Sequence, residues 1–143
     1  TLPYGPPIAK LVAAQLREVG IEANVEELDF STWLSQVYTQ HDYDMTVVAH
    51  VEPWDLSQFA NPNYYWQYNN PQFAELINKA DAAATNTEQE TTLKEAAKLL
   101  ADDAAADWLF LLPNLVVTTT EISGITTNTT GLSFDMTHVA TSR

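Results

Sequence analysis

Between Pro6 and Val19 the apolar residues Ile8, Leu11, Val12, Leu16 and Val19 fall on one side of a 3.6-residue period, and Gly20 follows where a helix end favours glycine. The pattern predicts an amphipathic helix. Ile21, Ala23 and Val25 then alternate with Glu22, Asn24 and Glu26, a period of two that predicts a strand to about Leu28. Ser31 or Thr32 is placed to cap a short helix whose Trp33, Leu34, Val37 and Tyr38 share a face. HDYD ends it, and MTVVAHV (45–51) reads as a strand covered on both sides, as in a parallel sheet.

In the second half, Asn70 and Pro71 mark the cap and first residue of a helix with Phe73, Leu76, Ile77 and Ala80 on its buried stripe. Thr87 and Glu90 have capping-box spacing for a longer, alanine-rich helix carrying Leu93, Ala97, Leu100 and Ala104. WLFLLPNLVV (108–117) is the most apolar stretch and reads as a third core strand, with Pro113 at a bulge or departure from the sheet. Trp33 and Trp108, on apolar stretches, are expected in the core. From Thr118 onward the chain holds nine threonines and few large apolar residues, so this tail is not assigned to the core. The element order predicts an α/β fold built on a mainly parallel sheet in three layers with flanking helices.

Composition narrows the function classes. The chain has 143 residues, enough for one domain with a core, and no apolar run long enough to span a membrane. It starts without methionine and its first element is a helix that no strand precedes, which suggests a fragment of a longer protein. Nineteen acids against six bases give a formal net charge of −13, which disfavours nucleic acid as a partner. With no cysteine there is neither a disulfide framework nor a thiolate metal site.

Catalytic patterns are sparse. His50 and Glu52 share a face of the expected strand, but no third ligand or HExxH helix accompanies them, so no metal is expected. No GxSxG elbow, glycine-rich phosphate loop or distinctive carboxylate pair stands out, and the reading is of a protein that is not an enzyme and needs no cofactor. The stretch AHVEPWDLSQFANPNYYWQY (49–68) is different: it gathers two tryptophans and three tyrosines with His50, Glu52 and Asp55 just beyond the carboxyl end of the expected 45–51 strand. Ligands of open α/β sheets bind there. His50, Glu52, Trp54, Asp55, Tyr65 and Trp66 are therefore the candidate ligand-binding residues.

The segments LREVGI (16–21), VEELDFSTW (25–33), DYDM (42–45), YNNPQFAELINKA (68–80) and LKEAAKLLADDAAADWLFLLPNLVV (93–117) occur in order along the chain. Together with GLSFDMTHVA near the end, they resemble the C-terminal lobe of the dipeptide- and oligopeptide-binding class of ABC-transporter solute-binding proteins, of actinobacterial type. The resemblance implies one lobe of a type II periplasmic-binding-protein-like fold over residues 1–117, with the 118–143 tail crossing back to an N-terminal lobe absent from this chain. It implies capture of a peptide or other small solute by closure of two lobes, delivery to permease subunits, and a location outside the cytoplasmic membrane, at the cell surface or in the periplasm, with a lipid anchor on a preceding segment as one arrangement. Glu52 matches the acid that pairs with a ligand's ammonium, although the family often has aspartate there and a tryptophan where this chain has Ala49. A carbohydrate ligand, an aromatic protein-interaction patch and an enzyme built on His50, Glu52 and Asp55 are the competing readings.

Overall fold

The computed structural model describes residues 2–52, 54–113, 115–126 and 135–142. Pro6 and Pro7 fit the first turn of a helix, where no backbone N–H is missed, and α1 runs over Gly5–Glu18. It ends as the glycine predicts. Gly20, at φ +85°, donates to the Arg17 carbonyl, and Ile21 reaches back to that of Leu16, the paired bonds of a Schellman ending. Only Ala13 of α1 is buried, while Leu11 and Val19 of the expected apolar stripe are exposed.

Asp29 caps α2, Phe30–Trp33, accepting from the Thr32 N–H and from the Ser31 and Thr32 hydroxyls. These bonds stabilise its ionised carboxyl and draw its pKa far below the usual range. The cap therefore lies two to three residues earlier than Ser31 or Thr32. The helix widens into a π-helical turn over Leu34–Thr39, with the Gln40 N–H on the Ser35 carbonyl and the Thr39 hydroxyl on that of Leu34. Residues five apart lie about 140° apart around a regular α-helix. Bonding from i to i+5 brings them to one side, and so Trp33 and Tyr38 meet at 6.2 Å.

Three more helices follow: α3 over Asp55–Gln58, α4 over Pro71–Asp81 and α5 over Asn86–Asp102. Asn70 caps α4 through its side-chain oxygen, 2.9 Å from the Gln72 nitrogen and 3.3 Å from that of Phe73. A reciprocal capping box starts α5, made by Thr85 and Glu88 rather than by Thr87 and Glu90. The two helices pack together with Phe73, Ile77 and Ala80 buried on α4 and Thr92, Ala96 and Leu100 buried on α5. Those spacings of three and four are the period of one helix face, and full burial of a side chain such as Phe73 or Leu100 stabilises by roughly 1.5–3 kcal/mol. The buried stripe of α5 is offset from the expected one: Ala97 is exposed and Ala104 lies beyond the helix at φ +51°.

The expected parallel three-layer α/β sheet is not present. Helical segments hold 43% of the described residues, and the sheet consists of β1, Ile122–Ser123, paired antiparallel with β2, Ala140–Thr141. Residues 21–28, 45–51 and 108–113 with 115–117 carry no strand. Ile21, Val25, Met45, Val51, Trp108, Leu111 and Val117 are exposed, so Trp108 is no core residue. A period of two, or an apolar run, records which side chains favour cover; a strand also needs a neighbour to take its N–H and C=O groups, and these segments have none in a ladder. The small sheet lies in the threonine-rich tail, of which residues 127–134 lie outside the described residues. Its turn requires Gly124 at φ +80°, where a Cβ would meet the His138 carbonyl oxygen at 1.9 Å.

The chain divides into two compact units, one of Thr1–His50 with Asn61–Gln67 and one of Val51–Ala60 with Tyr68–Arg143. The first holds α1, α2 and the π-turn, and the second holds α3, α4, α5 and the small sheet.

Candidate functional site

The six candidate residues divide between the units: His50, Tyr65 and Trp66 belong to the first, Glu52, Trp54 and Asp55 to the second. In the first unit Tyr65 is 1% exposed and forms the hub of an aromatic cluster. Trp33 meets it edge-on at 5.5 Å, Tyr38 packs at 5.3 Å, Tyr64 at 5.0 Å and Trp66 at 5.3 Å. Offset and edge-on ring contacts of this kind each add roughly 0.5–1.5 kcal/mol beyond area burial.

Polar tips fix the rings. The His50 Nε2 lies 2.6 Å from the Tyr65 Oη, with the two rings nearly parallel at 5.8 Å. Tyr43 donates its hydroxyl to the Tyr65 carbonyl at 2.6 Å, and burial pushes the Tyr43 phenol up. Trp33 donates its indole N–H to the Thr46 hydroxyl at 2.9 Å, and the Ala49 N–H donates to the Tyr4 Oη at 2.9 Å. Residues 43–50 are thus tied to the cluster by side chains instead of by a sheet. The surroundings make Tyr65 a packing residue of the first unit, with His50 as its hydrogen-bond partner and Trp66 half-buried beside both.

Trp54 has the opposite environment. The Asp55 N–H donates to the Glu52 carbonyl at 3.2 Å, and the Ser57 N–H and hydroxyl both donate to the Trp54 carbonyl, at 3.1 and 2.8 Å. These bonds make the tight entry to α3. The indole of Trp54 is 72% exposed, and Glu52 is exposed two residues before it. Among the described residues the Glu52 carboxylate meets no hydrogen-bond donor. An accessible acid next to an uncovered aromatic face offers a cation two attractions, a charge-assisted hydrogen bond and the negative face of the ring. Asp55, half-buried in the first turn of α3, adds a second negative charge nearby in the chain.

Sequence reasoning missed one polar arrangement of the second unit. The Tyr68 hydroxyl donates to the Asp103 Oδ2 at 2.6 Å and the Asn70 amide donates to the same oxygen at 2.7 Å, joining the start of α4 to the end of α5. Burial and the Asp103 carboxylate push the Tyr68 phenol up to about 12, and the two donors hold Asp103 below the usual carboxylate range. Thirty-five residues separate Tyr68 from Asp103, so only the helix pairing reveals them as partners. This clamp is structural, since both donors are consumed by it. A shallow cavity of about 640 Å³ between the end of α4 and the start of α5 is lined by Lys79, Ala83, Thr87, Thr91 and Glu95 among others, and it contains none of the six candidates.

Among the described residues no group of three His, Asp or Glu side chains converges as a metal site would require, and no helix is long and apolar enough to cross a membrane. The chain matches no family model, and neither a curated protein nor a solved structure matches it.

Proposed function

We propose that the chain is a binding module that captures peptide-like solutes by their ammonium group, as part of the extracytoplasmic solute-binding component of an ABC importer. Glu52 and Trp54, both exposed and two residues apart at the entry to α3, carry this reading. The transporter setting rests on the ordered segments that resemble the peptide-binding class, and on no feature of the fold. A free amine would donate to the Glu52 carboxylate while its positive charge lies over the Trp54 indole.

Magnitudes limit what this surface does alone. A charge-assisted hydrogen bond contributes roughly 1.5–3 kcal/mol and a cation over an exposed ring roughly 0.5–1 kcal/mol, so the sum is about 2–4 kcal/mol and the affinity is in the millimolar range. By the resemblance, an opposing lobe would supply the other wall and the remaining affinity through closure. Tight binding by the 143-residue chain is not expected.

The test follows the indole N–H resonance of Trp54, assigned with Trp54→Phe, while the chain is titrated with a dipeptide and with its N-acetylated form. The reading expects a saturable millimolar response to the free amine, lost on acetylation and in Glu52→Gln. No response, or an equal response to both peptides, rejects ammonium capture. The exposed indole also favours a sugar face, and a response to a neutral oligosaccharide that survives Glu52→Gln would establish that second reading.

A further inference from the structure

Within the aromatic cluster of the first unit, Tyr65 is withdrawn from water at 1% exposed, yet its hydroxyl ends 2.6 Å from the Nε2 of an exposed imidazole, that of His50. That partner is a base. The Tyr43 hydroxyl donates to a backbone carbonyl and the Trp33 indole N–H to the Thr46 hydroxyl, and neither acceptor takes up a proton near neutral pH. An imidazole does, and because His50 is exposed its ring exchanges protons with water and can present an unprotonated Nε2 to the buried phenol.

Rings in contact surround the same phenol. The centroids of Trp33, Tyr38, Tyr64 and Trp66 lie 5.5, 5.3, 5.0 and 5.3 Å from that of Tyr65, and half-buried Trp66 is also 4.6 Å from Tyr64 and 5.0 Å from His50. Electron tunnelling falls exponentially with separation, so touching rings exchange an electron far faster than either does with a distant molecule. The chain has no cysteine, and both methionines, Met45 and Met136, are exposed. Inside the cluster, tryptophan and tyrosine are therefore the side chains that give up one electron most readily. Loss of that electron makes a phenol O–H strongly acidic, so a phenol with a base in place is oxidised more easily than one without. Tyr65 has such a base, and Tyr43, on a carbonyl, does not.

We infer that Tyr65 and His50 form a proton-coupled redox site, in which the buried phenol gives up one electron and the imidazole receives its proton. The co-reactant is a one-electron outer-sphere oxidant at the surface. It takes an electron from a rim ring such as Trp66 and is reduced by one electron, and the rim ring is refilled from Tyr65. The Tyr65 O–H bond breaks and an N–H bond forms at the His50 Nε2, leaving a neutral phenoxyl radical beside an imidazolium. A one-electron reductant such as ascorbate restores the electron, and His50 returns the proton. Cover by Trp33, Tyr38 and Tyr64 keeps other radicals from coupling to the phenoxyl, which makes the step reversible. This site is independent of Glu52 and Trp54 and of the function proposed above.

Flash photolysis of the 143-residue chain with tris(bipyridine)ruthenium and a sacrificial electron acceptor tests the inference. The photogenerated ruthenium(III) complex is the oxidant, and as a cation it is drawn to a chain of formal charge −13. Transient absorbance and electron paramagnetic resonance should show a neutral tyrosyl radical that forms more slowly in heavy water and is discharged by ascorbate. Tyr65→Phe should lose this signal and leave tryptophan radicals, while Tyr68→Phe, in the second unit, retains it. His50→Gln keeps a hydrogen-bond acceptor but no base, and should slow formation by about a hundredfold, the low end of what a positioned proton acceptor contributes. Near-ultraviolet circular dichroism checks that each variant assembles the cluster, and comparison with the urea-unfolded chain needs no variant. A chain that yields only tryptophan radicals overturns the inference, as does a tyrosyl signal that persists in Tyr65→Phe, forms equally fast in His50→Gln, or is matched by the unfolded chain.

Discussion

Between α4 and α5 every fully covered side chain except Thr92 is apolar, and Thr92 returns its hydroxyl to the Glu88 carbonyl of its own helix at 2.9 Å. Around Tyr65 nearly every ring carries a polar tip, and the rings are held by hydrogen bonds to irregular backbone and to one another. The first arrangement is built from two regular helices with side-chain caps, so its contacts repeat along a face. The second draws Trp33 and Tyr38 from one helical run and Tyr43 and His50 from the segment after it onto Tyr65, beside its chain neighbour Tyr64. Apolar stripes tolerate small shifts in register. A hub with directional bonds does not, and it depends on each spoke being in place.

That contrast can be broken by experiment. Phe73→Ala empties a fully covered site and should destabilise the second unit by about 3–5 kcal/mol, read as a lower denaturation midpoint in far-ultraviolet circular dichroism. If the near-ultraviolet signal of the Tyr65 cluster falls at the same denaturant concentration, the two units are one cooperative body and the comparison loses its basis. Tyr65→Phe keeps the ring and deletes the oxygen 2.6 Å from the His50 Nε2, with an expected loss of about 1.5 kcal/mol confined to the near-ultraviolet transition. An unchanged midpoint would mean that ring packing alone holds the hub.

Asn70→Ala should cost about 1–2 kcal/mol by removing both the cap of α4 and the amide donor to Asp103, measured as a shift of the helical transition. The same helix pair has a pH signature. Because the folded-state pKa of Tyr68 is raised to about 12, its contribution to stability is present below the ordinary tyrosine value near ~10 and fades as pH rises through the folded value. Asp103 has the opposite sign: its folded pKa is lowered, so its contribution is present above the ordinary aspartate value and is lost as pH falls through the folded one. Phenolate absorbance should show late titration of Tyr68 beside the raised Tyr43, and Asp103→Asn should move only the Tyr68 titration toward lower pH. A tyrosine that titrates normally in both would show that the clamp is not formed.

What could be read from the sequence follows the same divide. Asn70 with Pro71 and the stripe Phe73, Leu76, Ile77, Ala80 are local signals, and α4 starts where they say and buries that face with Leu76 only half-covered; Gly20 likewise ends α1. Thr85 and Glu88 escaped notice because Thr87 and Glu90 have the same spacing two residues later, and only backbone geometry separates the two pairs. The strand patterns promise more than the chain forms. MTVVAHV and WLFLLPNLVV have the composition of covered strands, but a ladder is a property of two segments, and no pattern within one reveals whether the other is there. For the aromatics, sequence shows their density in 49–68 and nothing of their cover: Tyr65 is 1% exposed and Trp54 is 72% exposed, a difference made by Trp33, Tyr38 and Tyr43 arriving from elsewhere in the chain.

Gly124 has a consequence for how the end of the chain is retained. With a Cβ placed only 1.9 Å from the His138 carbonyl oxygen, there is no room for a methyl group, so alanine at this point would have to open the turn beside the two-residue ladder. A pairing that short cannot absorb the displacement by sliding, because a one-residue slip leaves half of it unmatched. The fastening of residues 135–142 thus depends on the absence of a side chain at one position, and Gly124→Ala should speed their trimming by carboxypeptidase while leaving α4 and α5 intact.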